Sequence, residues 1–320
     1  MRRSVVFSAL LALVGCSLEV SDDSVTSLSQ AIVVSDIAPN GRGFLTRDEH
    51  AQRLGLAGPS EEEGRAGKPS IKPTLNDIMY HGGPIMVGTV KLYYIWYGNW
   101  SGNTAPAILG DLALNIGGSA YWNINTTYFD ANNNRVSNAV AFGGSTISDT
   151  YAYGKSLSDA QIQSVVADAI ASGALPSDEA GVYFVLTSAD VTASSGFCTQ
   201  YCGWHTHASI GGKDIKYSFV GNPDRCPAAC AAQTTSPNGN AGADGMASII
   251  AHEAEEAATD PDLNAWYDRR GYENADKCAW TFGTTQTSGG AKYNLTLGTR
   301  KYLIQQNWVN AKGGYCALQY

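Results

Sequence analysis

One stretch of the sequence, residues 244–276, constrains the fold more than any other. Residues 246–258 are nearly all good helix formers, Asp244 stands at the expected N-cap and Pro261 follows as a stop, so the pattern predicts a helix. Alanine and isoleucine fill many of its positions, which indicates a buried helix. The same helix carries a histidine and three glutamates, and buried ionisable groups need partners or a metal.

The spacing of these polar residues predicts a metal site. His252, Glu253 and Glu256 form a His-Glu-x-x-Glu run, and residues four apart share one face of a helix, with Glu253 lying about 100° round. Zinc peptidases of the His-Glu-x-x-His type use two ligands at this spacing and the adjacent Glu as general base. Carboxylate oxygen also binds zinc, so Glu256 can replace the second His. We therefore expect His252 and Glu256 as ligands and Glu253 as general base.

A third ligand has to come from further along the chain, where four carboxylates compete. Their ranked order is Asp276, Glu273, Asp262 and Asp260. The first two follow Glu256 at a distance that suits a ligand returned by a later segment, and Asp262 lies at the interval of the last His in the metzincin pattern. The metal expected is Zn²⁺, with Ca²⁺ or manganese as alternatives because carboxylates suit hard cations. A hydrogen-bonded structural network or a solvated acidic face would also explain the run.

Composition favours a β-rich or mixed extracellular domain. The chain has 35 glycines, 10% aromatic residues and only 16% charged residues, a balance that does not suit a helical bundle. A formal net charge of -8, without a basic cluster, argues against a nucleic-acid partner.

The N-terminus is typical of an exported protein. Residues 1–16 combine two arginines with an apolar run too short to span a bilayer, which predicts a signal peptide. The ending Leu-Val-Gly-Cys resembles a bacterial lipobox, so Cys16 is expected to carry a lipid that anchors the protein to a membrane, with Ser17 typical of outer-membrane sorting. The alternative is a cleaved signal peptide in which Cys16 is incidental. Residues 17–74 are polar and aperiodic, which predicts a flexible tether or, alternatively, a pro-segment.

Residues 75–320 are expected to form one α+β domain: a mixed β-sheet with packed helices, a zincin-like metal-bearing helix and disulfide-stabilised loops. The predicted elements are a strand or hairpin at 87–100, a helix at 105–115, short strands at 121–128 and 140–146, a helix at 158–171, a central strand at 182–186 and an edge-like strand at 215–220. This order is similar to that of zincins, in which an edge strand beside the cleft binds extended substrate.

Cysteine usage predicts disulfides. Setting Cys16 aside leaves six cysteines, an even number in an exported protein. Among fifteen connectivities we expect these pairs: Cys198 with Cys202, Cys226 with Cys230, and Cys278 with Cys316. Cys-x3-Cys beside His-x-His could instead form a structural zinc site. His205 and His207, which lie in this passage, are candidates to reach the metal cleft or bind substrate, or are simply hydrogen-bonded.

Several ordered motifs point to a known family. They are YHGGP at 80–84, YIWYGNW at 94–100, YGKSL at 153–157, VLTSADV at 185–191, GFC at 196–198, CGWH at 202–205, VGN at 220–222 and GADGM at 242–246. Together they resemble the EXORDIUM or phosphate-induced protein family over about residues 79–316. The resemblance implies the fold and export; family members are exported, the plant ones are associated with the cell wall, and no enzymatic activity is securely attached to them. The metal chemistry therefore rests on this sequence alone.

Two functions from different classes remain open at this point. One is a metal-dependent, zincin-like hydrolase that acts on peptide or cell-wall material at the cell surface. The other is a non-enzymatic surface protein that binds wall carbohydrate or a partner and holds a structural ion. The sequence does not predict the substrate or the oligomeric state.

Overall fold

The computed structural model describes residues 43–53 and 78–320. The predicted signal peptide 1–16 with its Cys16, and most of the predicted tether or pro-segment 17–74, lie outside the described residues. Within the two described ranges, no helix is long and apolar enough to cross a membrane.

The described residues contain both helices and strands, and the helices pack on a mixed sheet, so the expected mixture of helix and sheet is confirmed. In chain order the main elements are α1 (Arg47–Arg53), β1 (Met79–Tyr80), β2 (Val90–Tyr97), α2 (Ala105–Asn115), β3 (Val140–Ser148), β4 (Ser156–Leu157), α3 (Asp159–Ala171), β5 (Gly181–Thr187), β6 (Thr192–Ala193), β7 (Gly203–Ile210), β8 (Lys213–Val220), α4 (Pro227–Cys230), α5 (Ala241–Thr259) and β9 (Trp266–Tyr267). Three short hairpins follow, formed by β10 (Gln286–Ser288) with β11 (Ala291–Tyr293), β12 (Leu295–Leu297) with β13 (Arg300–Tyr302), and β14 (Asn307–Val309) with β15 (Tyr315–Ala317).

A five-stranded mixed sheet in the order β3-β2-β5-β8-β7 organises the domain. The first four strands are parallel, and β7 runs antiparallel to β8 at one edge. Strand β5 is buried along its whole length, as its apolar sequence requires, because helices cover the sheet. Helix α5 packs on β7, β8 and β5, α2 lies between α5 and β3, and α3 packs on β2, β5 and β8.

Most of the predicted elements are confirmed, including the helix at 105–115, the helix at 158–171 with Ser158 as its capping residue, and the strands at 140–146 and 182–186. Three details were wrong. The predicted strand at 121–128 is largely a 3₁₀ helix, Trp122–Thr127, which buries the side chains of Trp122 and Ile124 in the core. Helix α5 begins earlier than expected, because Asn240 and not Asp244 caps it. The strand at 215–220 lies inside the sheet and not at its edge.

The true edge strand is β7, which a tight hairpin joins to β8. Ile210 pairs with Lys213 across Gly211 and Gly212, whose positive φ angles of 61° and 79° suit a two-residue hairpin turn. At the other end of β7 the strand lies against α5, and a Cβ on Gly203 would stand 2.5 Å from Ile249 Cγ2. Glycine is therefore required where edge strand and helix approach so closely.

Three disulfides are present, as expected, but two of the three predicted pairings were wrong. Cys278 bonds Cys316 as predicted. The other four cysteines pair between segments, Cys198 with Cys226 and Cys202 with Cys230. The loop that precedes β7 is thereby fastened to the loop that precedes α5.

Replacement of Cys198 by Ser tests this connectivity. We expect Cys226 to become the free thiol, because Cys202 keeps its bond to Cys230. The variant is unfolded without reductant at mildly acidic pH, where thiol–disulfide exchange is slow, and its free thiol is alkylated. Peptide mass mapping should then find the label on Cys226. A label on Cys202 would support the local pairing instead. Replacing Cys16 by Ser in all samples removes the background thiol.

Candidate functional site

The site begins with the burial of helix α5. All its residues from Gly242 to Thr259 except Gly245 are buried, so the polar side chains on it cannot reach water. His252, Glu253 and Glu256 each have no solvent exposure. Whatever stabilises these groups must come from the elements that pack around the helix.

His252 and Glu256 lie together on one face of α5, as the spacing predicts. His252 Nε2 lies 2.9 Å from Glu256 Oε1 and 3.5 Å from Asp276 Oδ1. The backbone N–H of Asp276 donates to Glu256 Oε1 at 3.1 Å. Asp276 starts a 3₁₀ turn, Asp276–Cys278, that the disulfide to Cys316 fastens to β15. The structure thus brings together the three residues predicted as metal ligands.

A second imidazole reaches the same place from the edge strand. His205 on β7 places its Nδ1 3.4 Å from Glu253 Oε2 and 3.5 Å from Glu256 Oε2, and its Nε2 lies 3.8 Å from Glu273 Oε1. His205, Glu253 and Glu273 are all buried. We call the six residues that meet here the His–carboxylate cluster: His205, His252, Glu253, Glu256, Glu273 and Asp276.

Several atoms of the cluster approach one another without hydrogen bonding. His205 Nδ1, His252 Nε2, Glu253 Oε2 and Glu256 Oε2 are buried, and within the described residues they make ion-pair contacts with other atoms of the cluster but no well-aligned hydrogen bond. Two overlapping triads, His252–Glu253–Glu256 and His205–Glu256–Glu273, have ligand atoms within 4.8 Å of one another and share Glu256. This is the donor set and spacing that a cation could bind.

The electrostatics of the cluster follow from burial and mutual charge. Burial would lower the pKa of His252 and His205, but the neighbouring carboxylates outweigh it and raise both well above their usual range. Burial would raise the pKa of Glu256, but the positive imidazoles lower this pKa to about 2. Burial raises the pKa of Glu253, and burial together with Glu256 raises that of Asp276 to about 7. Without a metal, the cluster is an acid-rich network of imidazolium and carboxylate groups.

Glu255 belongs to a separate, neutral network. Its Oε2 lies 2.9 Å from the hydroxyl of Tyr121, which also lies 3.0 Å from the Gln305 carbonyl oxygen. Burial raises the pKa of Glu255 to about 8, so at neutral pH it carries a proton. A protonated Glu255 can donate to Tyr121, which in turn donates to Gln305, and every proton then has an acceptor.

The remaining candidates from the sequence lie outside the cluster. The Asp260 carboxylate accepts from the backbone N–H of Ala265 at 2.6 Å, so it closes the turn after α5. Asp262 lies 3.8 Å from His207 and 3.5 Å from Lys216. Lys216 is a cation already in place, so this second group of charges is an ion-pair network at the surface of β7 and β8.

The 43–53 segment covers the cluster. The backbone N–H of Phe44 donates to Glu253 Oε1 at 3.0 Å, and the Phe44 ring stands edge-on to His252 with centroids 5.0 Å apart. Trp280 lies against the other side of that ring at 4.9 Å. Residues 43–53 fall within the range 17–74 predicted to be a tether or pro-segment, and in the structure they pack on the domain.

The sequence pattern did not predict the positions of three residues of the site: His205, Gln305 and Phe44. His205 was named as a candidate to reach the metal cleft or bind substrate but was not placed among the metal ligands; the Gly-Gly turn at 211–212 could have indicated the hairpin that carries it. Gln305 places its amide nitrogen 2.6 Å from His252 Nδ1, and nothing in its sequence context signals this role. Phe44 lies 209 residues from its partner Glu253, a distance at which periodicity carries no information.

Fold and site define a class: a disulfide-stabilised α+β domain with a buried cluster of imidazoles and carboxylates, and its disulfides indicate an exported protein. The family model described as the phosphate-induced protein 1 conserved region matches residues 78–318, so the chain belongs to that family. The resemblance seen in the motifs is thereby confirmed.

Curated plant proteins are similar over most of their length. The chain is 33% identical over 279 residues to Protein EXORDIUM-like 3 of Arabidopsis thaliana, covering 75% of this chain and 82% of the relative. It is 32% identical over 273 residues to Protein EXORDIUM-like 5 of the same plant, covering 72% and 75%. It is 27% identical over 271 residues to Protein PHOSPHATE-INDUCED 1 of Nicotiana tabacum, covering 71% and 83%. No solved structure matches the chain significantly.

The neutral state of Glu255 leads to a stability prediction. Its pKa rises from 4.5 to about 8 on folding, so the unfolded state loses this proton first and the parent loses stability as pH rises between these values. Glu255→Gln, which cannot ionise, should gain up to a few kcal/mol over the parent between pH 5 and pH 8, on the scale of about 1.4 kcal/mol per pKa unit. Urea unfolding at both pH values measures this. A constant difference between the two proteins would contradict it.

Proposed function

We propose that this protein is a metal-dependent hydrolase of the zincin kind. One observation carries the proposal: two imidazoles and two carboxylates, from α5 and from the edge strand β7, turn buried atoms toward one another that have no hydrogen-bond partner in the described part of the chain. Buried polar atoms that make ion pairs but no well-aligned hydrogen bond are costly, and a cation between them would lower this cost.

The ligand set follows from the distances. His252, Glu256 and Asp276 would hold the metal, and His205 with Glu273 offers a further nitrogen and oxygen donor next to Glu256. Two imidazoles favour Zn²⁺, while the excess of carboxylates leaves Ca²⁺ as the alternative. A His252 that binds through Nε2 keeps its proton on Nδ1, so Gln305 would then turn its amide oxygen toward that atom.

The chemistry then assigns a role to Glu253. A bound zinc ion supplies a water whose pKa is lowered toward neutrality. Glu253 lies next to His252 in sequence and faces β7, where it can accept a proton from that water and later pass it to a leaving nitrogen. The edge strand β7 pairs with β8 on one side, and its other side could pair with an extended substrate, which suits a peptidase.

The proposal also includes the location. We propose that Cys16 carries a lipid that holds the mature protein at the outer membrane or cell surface, where peptide or cell-wall material would be the substrate. The disulfides support an oxidising compartment. The lipid anchor and the outer-membrane or cell-surface location are proposed from the first sixteen residues of the sequence.

Complete burial of the cluster favours a second candidate function. An ion held by groups as deeply buried as these could be purely structural, in a non-enzymatic surface protein that binds wall carbohydrate or a partner. In that case removing the ion lowers the melting temperature, and no peptide in a library is hydrolysed.

Metal content is the decisive measurement. The exported protein should contain close to one equivalent of zinc by elemental analysis. His252→Ala and Glu256→Gln should each lose it, because each removes a ligand. Glu255→Gln is the matched control on the same helix and should keep the metal, because Glu255 faces Tyr121. Parent protein without any divalent metal, even after incubation with zinc, would overturn the proposal.

Glu253→Gln separates catalysis from metal binding. The amide keeps the shape of the side chain but cannot accept the proton, so hydrolysis of a fluorogenic peptide library should fall at least a hundredfold. Its zinc content should match that of the parent. Activity within a few-fold of the parent would exclude Glu253 as the base.

A further inference from the structure

The 43–53 segment binds the domain as an added strand. Leu45 and Tyr201 form an antiparallel bridge, the Thr46 N–H donates to the Gln200 carbonyl at 3.0 Å, and the Cys202 N–H donates to the Phe44 carbonyl at 2.7 Å. Backbone pairing of this kind is how extended peptides bind to an exposed sheet edge.

This pairing occurs where β7 begins, beside the cluster. Residues 44 to 46 run opposite residues 202 to 200, so a longer peptide in the same register would continue along β7 toward His205. The segment approaches the strand closely, since a Cβ on Gly43 would stand 2.6 Å from the Gly203 carbonyl oxygen. The start of β7 is also the part of the sheet that two disulfides hold rigid, Cys198–Cys226 and Cys202–Cys230.

Phe44 then presents an amide to the proposed general base. Its N–H donates to Glu253 Oε1, the group that would protonate the nitrogen of a substrate amide. Its ring fills the space between His252 and Trp280. The far side of the segment is held by the Trp280 indole N–H, which donates to the Leu45 carbonyl, and by Arg47, which donates to the Ala231 carbonyl.

We propose that residues 43–47 occupy the substrate cleft of this protein as an internal strand and block it. The cleft therefore accepts extended polypeptides with an aromatic side chain beside His252, and displacement of the segment opens the site. That the cleft binds substrate depends on the proposed function. That residues 43–47 occupy it depends only on the contacts described above.

The segment is attached through a small number of contacts. Besides its strand-like hydrogen bonds, the segment is held by the Phe44 ring, the Arg47 side chain and the hydrogen bond from Trp280 to the Leu45 carbonyl. A short strand without a sheet partner on its other side is only marginally stable by itself, so the attachment depends on these few groups.

A nicked form of the full chain tests the proposal without changing the segment. A protease recognition sequence placed within residues 54–77 lets the purified, folded protein be cut, after which no disulfide joins the N-terminal piece to residues 78–320, because the three disulfides use the six other cysteines. The probe is a fluorescent peptide with the sequence of residues 43–53, followed by fluorescence anisotropy.

We expect the labelled peptide to bind the nicked protein, as it exchanges with the resident piece, and to bind the uncut protein at least tenfold more weakly. A peptide with Ser in place of Phe44 should bind the nicked protein at least tenfold more weakly than the parent sequence, whereas Ala in place of the exposed Arg53 should change little. Equal binding to cut and uncut protein, or indifference to the Phe44 replacement, would overturn the proposal.

The same samples separate this proposal from the proposed function. Peptide binding needs no metal, so it can succeed in a protein that contains no zinc. If zinc is present, the full-length variant Phe44→Ser should release it to a chelator at least tenfold faster than Arg53→Ala does, because the ring no longer covers His252. Equal rates of release would contradict the covering role while leaving the metal site intact.

Discussion

The burial of three glutamates on one helix is the constraint on which the rest of the structure depends. A carboxylate without water needs a proton, a cation or several donors, and α5 uses a different solution at each position. Glu255 keeps a proton and bonds Tyr121, Glu256 meets the imidazoles and the Asp276 N–H, and Glu253 meets His205 and the Phe44 N–H. Each solution draws in another element, so the turn at 276–278, the edge strand and the 43–53 segment all converge on one helix.

Packing and disulfide bonds together hold the edge strand β7 where its His205 reaches the cluster. Gly203 allows β7 to approach α5, and the disulfides at Cys198 and Cys202 fix the chain that leads into it. Within the described residues β7 has one sheet neighbour, β8, so a second backbone can pair with the chain on its outer side. The 43–53 segment occupies that position, which is why the same strand contributes both a donor to the cluster and a docking edge beside it.

Local pattern predicted the elements whose residues repeat with a clear period. The helix at 158–171 has apolar residues at helical spacing after a capping serine, and the strand at 182–186 is an unbroken apolar run. Strand β7 was missed because its sequence, GWHTHASI, mixes polar and small residues, and its strand character comes from pairing with β8. The 3₁₀ helix Trp122–Thr127 was mistaken for a strand because Trp122 and Ile124, two buried apolar residues spaced two apart, imitate strand alternation over a short run. The pairs Cys198–Cys226 and Cys202–Cys230 form because two loops distant in sequence lie side by side in the fold, and cysteine spacing alone does not predict this.

The sequence by itself determined that His252 and Glu256 share a face, since four residues nearly complete one turn of a helix, and that six cysteines would pair in an exported chain. Only the tertiary structure decided which other groups reach that face. His205 comes from 47 positions before His252 and Phe44 from 209 positions before Glu253, and such meetings depend on how distant segments pack. Periodicity acts over one or two turns of chain, whereas the cluster is assembled by the sheet edge, the disulfides and the covering segment.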